Sequence, residues 1–294
     1  MILQLVLPML VALAAGFSAG LVQRRLSPAV ATWLLTGLAM VTAASVVWAV
    51  GTLGLGWLSQ QASLADWLGW CRTVVSHHDS VPAAIGVPSL LLLSAMLARG
   101  SRVALAHRRA GRARHRDDDV EFIATDEPFA YALPGRPGRI VVSTGMLCCL
   151  EADERTVLFA HEEAHLTLGH HRFLAVADTA AAVVPLLRPL RAQVRFATER
   201  WADEVAAAHV GDRSTVARAL ARAALAQADH ATALAFGGLG VRARVDALLA
   251  TPARRPIAEL ALSAGLTAVA AALAGAAIQL HHLVQLAVHA CGVS

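Results

Sequence analysis

The stretch Glu154-Arg-Thr-Val-Leu-Phe-Ala-His-Glu-Glu-Ala-His-Leu-Thr-Leu-Gly-His-His171 is the most informative part of this chain. It contains His161-Glu-Glu-Ala-His165, an H-E-x-x-H motif, inside a helical pattern of apolar residues. Residues four apart on a helix lie on one face, so the two imidazoles can bind the same Zn²⁺. Glu162 follows the first histidine and can reach a water beside the metal without binding the metal itself.

Apolar residues flank the motif on both sides. A helix with this pattern is buried, and buried histidine and glutamate side chains need partners. The alternative is a surface helix that carries these residues by chance, but such a helix does not explain the apolar flanks. The motif therefore predicts a zinc site with His161 and His165 as ligands and Glu162 as the general base.

A catalytic zinc site needs a third protein ligand, and the stretch Glu199-Arg-Trp-Ala-Asp203 offers one. Glu199 would bind the metal, and Asp203, one helical turn later, would accept the spare N–H of a ligand histidine. The alternative is a solvated acidic helix face. His171 is a rival ligand, but Leu168 stands where the pattern H-E-x-x-H-x-x-G-x-x-H needs glycine. We expect His170 and His171 to close the motif helix, where imidazolium suits the negative dipole end.

These two stretches, Ala160-His-Glu-Glu-Ala-His165 and Glu199-Arg-Trp-Ala-Asp203, resemble those of gluzincin-type membrane metallopeptidases. Two families fit, namely the BlaR/MecR-type antirepressor peptidases and the HtpX/Ste24-type proteases. The resemblance implies an α+β zincin-like metallopeptidase domain that uses Zn²⁺ to hydrolyse peptide bonds. The choice between the two families depends on the rest of the chain.

The composition is that of a membrane protein. Hydrophobic residues make up 56% of the 294 residues and charged residues 16%, and the mean hydropathy is +0.55. An ordinary soluble domain is less apolar. Four apolar segments are about long enough to cross a bilayer, and they lie at residues 2–22, 30–50, 81–98 and 257–279. We therefore predict a mainly α membrane protein with four transmembrane helices.

The predicted metallopeptidase domain, residues 99–256, is inserted between the third and fourth spans. Three spans precede it in residues 1–98, and the fourth span and a short tail follow in residues 257–294. Arginines are abundant in the first and third loops, whereas Arg72 is the only basic residue in the second. Because basic loops stay in the cytoplasm, we expect a multi-pass protein of the cell membrane with a cytoplasmic peptidase domain and both termini outside.

This order of spans resembles the BlaR/MecR-type peptidases, whereas an HtpX-type chain would carry the motif after two spans. The resemblance implies a cytoplasmic protein substrate, with a small DNA-binding repressor as the first candidate, and hence regulatory proteolysis. No S-x-x-K serine motif follows the last span, so direct acylation by a β-lactam is not expected.

Two alternatives stay open. One is a quality-control protease of the HtpX kind, and the other is a signalling scaffold whose structural zinc has His170 or His171 as a fourth ligand. The arginine-rich run from Arg99 to Arg116 suits anionic lipid headgroups. It contains no interleaved aromatic residue, so we do not expect direct binding of nucleic acid. The sequence leaves the oligomeric state open.

Three extended segments precede the motif helix. Residues 120–125 alternate as a strand does, and residues 129–134 and 139–143 flank a Gly-Arg-Pro-Gly turn, which predicts a hairpin. Phe129 to Leu133 is the candidate edge strand for pairing with an extended substrate, with a simple hairpin arm as the alternative. Asp153 is the predicted N-cap of the motif helix.

The four cysteines form no zinc-binding pattern. Cys148 and Cys149 are expected to stay reduced in the cytoplasm. Cys71 and Cys291 would both lie outside the membrane, either as a disulfide or as two free thiols.

Overall fold

The computed structural model describes residues 26–58, 61, 81–112, 119–230 and 235–250, together with single positions between 260 and 278. The first predicted span and most of the fourth lie outside the described residues, as do Cys71 and Cys291. Within the described part, the chain is mostly helical with one small sheet.

Two helices are long and apolar enough to cross a membrane, namely α1 (Pro28–Leu58) and α2 (Ala83–Ala110). They include the predicted span at residues 30–50 and nearly all of the one at 81–98. The two helices pack closely, since a Cβ added at Gly54 would lie 2.9 Å from the side chain of Leu90. These helices indicate association with a membrane, while the number of spans and their orientation stay predictions.

The sheet has three strands in the order β1-β3-β2. β2 (Ala130–Leu133) pairs antiparallel with β3 (Arg139–Ser143), which is the predicted hairpin. β1 (Val120–Ile123) joins the other side of β3 in parallel. The central strand β3 is therefore the buried one, and β2 is left as an edge strand.

On the edge of β2 that faces away from β3, only alternate residues present their backbone N–H and C=O groups. Ser143 N–H donates to the carbonyl of Phe129, at 3.0 Å. Because hydrogen-bonded and non-hydrogen-bonded pairs alternate along an antiparallel ladder, Tyr131 also faces β3 with its backbone groups. Ala130 and Ala132 consequently turn their N–H and C=O groups away from the sheet.

After the short helix α3 (Thr144–Cys149), the motif helix α4 runs from Ala152 to Thr167. The prediction that Asp153 is its N-cap was wrong, because the N-cap is Glu151. The Glu154 carboxylate accepts the Glu151 N–H at 3.0 Å and forms the capping box of the helix start. Glu154 is fully buried and also pairs with Arg218 and Arg222, so that it is held in place from a second helix.

The prediction that His170 and His171 close the motif helix was also wrong. α4 ends at Thr167, and Gly169 adopts a left-handed conformation with a φ of 64°, which glycine tolerates better than other residues. The chain then turns into α5 (His170–Val183), so that His170 is the first residue of the next helix. The turn carries the His170 side chain into the interior, where it is fully buried.

Three further helices complete the domain, namely α6 (Arg188–Val210), α7 (Arg213–His230) and α8 (Ala235–Leu249). Helix α6 packs along α4 and also contacts α1. One buried apolar cluster joins α1, α2, α5 and α6 and includes Leu35, Met96, Phe173 and Leu190. The apolar helices and the helices around the motif therefore share a continuous core.

Candidate active site

The packing of α4 against α6 brings three predicted ligands together. The Nε2 atoms of His161 and His165 lie 3.2 Å apart. The Glu199 carboxylate reaches them from α6, with one oxygen 3.6 Å from His161 Nε2 and the other 3.7 Å from His165 Nε2. Among the residues that the structure describes, this is the single group of three or more His, Cys, Asp or Glu side chains that could hold a metal ion.

This group fits zinc. Two imidazoles and a carboxylate are a donor set of catalytic zinc sites, which keep a fourth position open. Donor atoms around a tetrahedral Zn²⁺ at ordinary bond lengths are roughly 3.3 Å apart, close to the separations here. Neither His170 nor His171 belongs to the group, so the described residues provide no fourth protein ligand.

Asp203 lies where the sequence predicted it. Its Oδ1 atom is 3.1 Å from Nδ1 of His161, and the side chain is almost completely buried. Asp203 can therefore accept the N–H of His161 while the opposite nitrogen faces the metal position, which fixes the tautomer of the ring.

Arg244 is a residue of the site that the sequence analysis missed. It lies on α8 and donates to both carboxylate oxygens of Asp203, at 2.6 and 2.7 Å. Its Nη1 is also 3.0 Å from Glu199 Oε2. One clue was present in the sequence, because the apolar Leu248 lies four residues later and a helix puts it on the same face as Arg244.

The electrostatics of the two ligand histidines differ. Burial opposes a charge on His161, but its hydrogen bonds with Asp203 and Glu199 are stronger and raise its pKa. Burial lowers the pKa of His165, and the neighbouring charge on His161 lowers it further. Without metal, His161 is therefore the protonated, positively charged ring of the pair and His165 the neutral one.

The two acidic groups stay ionised. Burial would raise the pKa of Glu199, but the hydrogen bond to His161 and the charge of Arg244 lower it well below its usual range. Burial acts in the same way on Asp203, whose pKa is lowered by hydrogen bonds with Arg244 and His161. Both carboxylates are therefore ready to act as acceptors or metal ligands at neutral pH.

Glu162 is buried between the ligand group and the sheet. Burial raises the pKa of its carboxyl, and the backbone N–H of Ala132 on β2 donates a hydrogen bond to it. A carboxyl with a raised pKa beside a metal site takes up a proton more readily than an ordinary glutamate does. Glu162 therefore combines a buried, proton-accepting carboxyl with a position beside the ligand group.

A cleft of about 300 Å³ opens in front of these residues. Backbone and side chains of β2 line one side, and Leu166, His171 and Leu174 lie on the other. A second, mainly apolar cavity of about 190 Å³ adjoins His161 and Glu162. Its wall includes the charged residues Glu199, Asp203 and Arg244 and apolar residues such as Met146, Leu150, Val157, Leu158, Val216 and Leu220.

His170 occupies the opposite side of the site from Asp203. Its Nδ1 atom is 2.9 Å from Nδ1 of His165. Burial, together with the charges of nearby histidines, lowers the pKa of His170 to about 3. The ring is therefore neutral at physiological pH, and the earlier expectation of an imidazolium at this position does not hold.

An H-E-x-x-H helix with a glutamate from a second helix and a buried general base defines the class of zinc-dependent metallopeptidases. Residues 98–252 match the model of peptidase family M48, which is more than half of the chain. The protein therefore belongs to peptidase family M48, whose members are zinc-dependent metallopeptidases. No curated protein and no solved structure matches the chain.

Proposed function

We propose that the protein is an integral-membrane zinc endopeptidase that cleaves an extended segment of a cytoplasmic protein. The observation that supports this most directly is the position of Glu162. Its buried carboxyl lies beside the group formed by His161, His165 and Glu199 and against the free edge of β2. Metal ligands, base and strand edge thus meet in one cleft.

The division of chemical roles follows from this arrangement. His161, His165 and Glu199 would hold a zinc ion, which would supply the Lewis acidity that polarises a scissile carbonyl and acidifies a bound water. Glu162 accepts a proton from that water and later delivers it to the leaving amine. Asp203 keeps His161 in the tautomer whose Nε2 faces the ligand group.

The edge strand β2 supplies the supporting argument for an extended substrate. The backbone groups of Ala130 and the carbonyl of Ala132 point away from β3, and a peptide in the cleft can pair with them by strand addition. The apolar cavity beside Glu162 would then receive one side chain of the peptide. Such binding uses the middle of a chain rather than a free terminus, which favours endopeptidase activity.

The membrane part of the proposal rests on α1, α2 and the charge pattern. The last turn of α2 carries His107, Arg108 and Arg109, and basic residues at the end of a span suit the cytoplasmic headgroups. A reporter inserted near Gly111 should be cytoplasmic, and one fused after Ser294 extracytoplasmic. The reverse result would remove the cytoplasmic substrate from the proposal.

The substrate hypothesis is regulatory proteolysis, with a DNA-binding repressor as the first candidate. It is supported by the resemblance of the predicted order of spans to the BlaR/MecR-type peptidases. Proteomics on cells with an inactive variant discriminates between the alternatives. Accumulation of one intact cytoplasmic protein supports regulation, whereas accumulation of many damaged membrane proteins indicates quality control instead.

The test of catalysis is Glu162→Gln, with Glu163→Gln as the matched control. Both substitutions remove one carboxylate from α4, but Glu163 is exposed to solvent. We expect Glu162→Gln to bind zinc as the wild type does and to lose cleavage by roughly 10²–10⁴-fold, because the proton acceptor is gone. Purified full-length protein in detergent is assayed on an unfolded protein substrate. Equal cleavage by Glu162→Gln and wild type would exclude this mechanism.

A further inference from the structure

We propose that His170 is a positioning residue that orients His165 for zinc, in the role that Asp203 has for His161. The proposal rests on the zinc-peptidase function above. Its main observation is the contact of 2.9 Å between the Nδ1 atoms of His165 and His170. The other ring nitrogen of His165, Nε2, faces His161 and Glu199.

The hydrogen bond fixes the tautomers of both rings. A zinc ligand must offer a lone pair, so Nε2 of His165 is unprotonated in the loaded site and Nδ1 carries the hydrogen. That N–H donates to Nδ1 of His170, whose own hydrogen is then on Nε2. The contact thus aligns the lone pair of His165 with the place where the ligand atoms converge.

Packing alone does not require a histidine at this position. The His170 ring is fully buried, and its Nε2 has no hydrogen-bond partner among the described residues. A buried polar group without a partner costs free energy, and an apolar side chain would avoid that cost. The one hydrogen bond that the ring makes in the described structure is with the predicted ligand His165.

Two neighbouring rings pack against His170 and fix its position. Its ring meets His165 edge to face, with centroids 4.8 Å apart and an interplanar angle of 82°. On another side it packs against Trp201, at 5.1 Å between centroids. Trp201 is two residues after Glu199 on α6, so the helix that carries the third ligand also supports the ring that orients the second.

Three variants test the hydrogen bond apart from the packing. His170→Leu fills the space without an acceptor, whereas the Oδ1 atom of His170→Asn can take the place of Nδ1 and accept the His165 N–H. His171→Leu removes a neighbouring histidine that has no bond to His165. All are made in the full chain and purified in detergent. Zinc affinity is measured by competition with a chelator, and Co²⁺ absorption reports the coordination geometry.

We expect His170→Leu to lose zinc affinity by about 10–100-fold and to change the Co²⁺ spectrum. His170→Asn should bind zinc with an affinity close to that of the wild type, and His171→Leu should keep the wild-type zinc affinity. Wild-type affinity in His170→Leu, or an equal loss in all three variants, would overturn the proposal. If the metal-free His170→Leu protein does not fold, the His170→Gln variant is used in its place. The glutamine amide reaches the position of Nε2 rather than that of Nδ1, so it also leaves the His165 N–H without its acceptor. A wild type that binds no zinc would instead overturn the proposed function itself.

Discussion

His161 and His165 lie four residues apart on one helix, yet the protein holds them in different ways. On the His161 side, Asp203 accepts the ring N–H and is itself held by Arg244, so that the support is ionic. On the His165 side, the partner is the neutral ring of His170, packed against Trp201. We call these the charged side and the neutral side of the site.

The difference between these two partners affects the net charge around the predicted metal position. A carboxylate partner makes an imidazole a stronger donor to the metal, but each added negative charge also weakens the Lewis acidity that hydrolysis needs. On the charged side, Arg244 balances Asp203. On the neutral side, His170 orients His165 without adding any charge. The site therefore gains two fixed ligands, while Glu199 remains the one ligand with a negative charge.

The largest expected effect comes from removing the ligand that both sides share. Glu199→Ala should lose most of the bound zinc, because a site with two protein ligands cannot hold the ion tightly. His171→Ala should keep its zinc, since His171 lies in the cleft wall outside the ligand group. Metal content of the purified proteins measures both. The opposite pattern would show that His171 is the third ligand.

A smaller effect is expected from the charged side. Asp203→Ala should reduce zinc affinity or activity by about 10–100-fold, because Asp203 orients His161 and does not bind the metal. Asp203→Asn keeps an acceptor for the His161 N–H but removes the charge, which makes this side resemble the neutral side. Its loss of zinc affinity should be smaller than that of Asp203→Ala. Chelator competition compares the two variants. An Asn variant as weak as the Ala variant would show that charge, rather than orientation, is what Asp203 supplies.

The smallest expected effect is the number of protons that the protein releases when it binds zinc. In the metal-free protein the pKa of His161 is raised and that of His165 is lowered from the usual value. At pH 7 His161 is therefore protonated and His165 is neutral, so zinc binding should release about one proton and strengthen as the pH rises. Calorimetry in buffers of different ionisation enthalpy gives the number. Release of two protons, or none, would contradict the asymmetry.

Two predictions of the sequence analysis failed for different physical reasons. The capping residue was assigned to Asp153 from local preference, but the N-cap is Glu151, which forms a capping box with Glu154, and Glu154 is buried and paired with Arg218. His170 was assigned to the end of α4, but the left-handed turn at Gly169 puts it inside the protein. The first outcome depends on a contact with a distant helix and the second on the backbone conformation of one glycine, and helical spacing predicts neither.

The sequence by itself determined the features that depend on helical spacing. His161 and His165, and likewise Glu199 and Asp203, are four residues apart, and any helix places such pairs on one face. Only the tertiary structure decided which nitrogen of each histidine faces the metal position, that Arg244 joins the site from α8, and that His170 supports His165. These contacts depend on how α4, α5, α6 and α8 pack. Hydrogen bonds between side chains form only within about 3 Å, and the spacing of residues within one helix does not set their distance to residues of another helix.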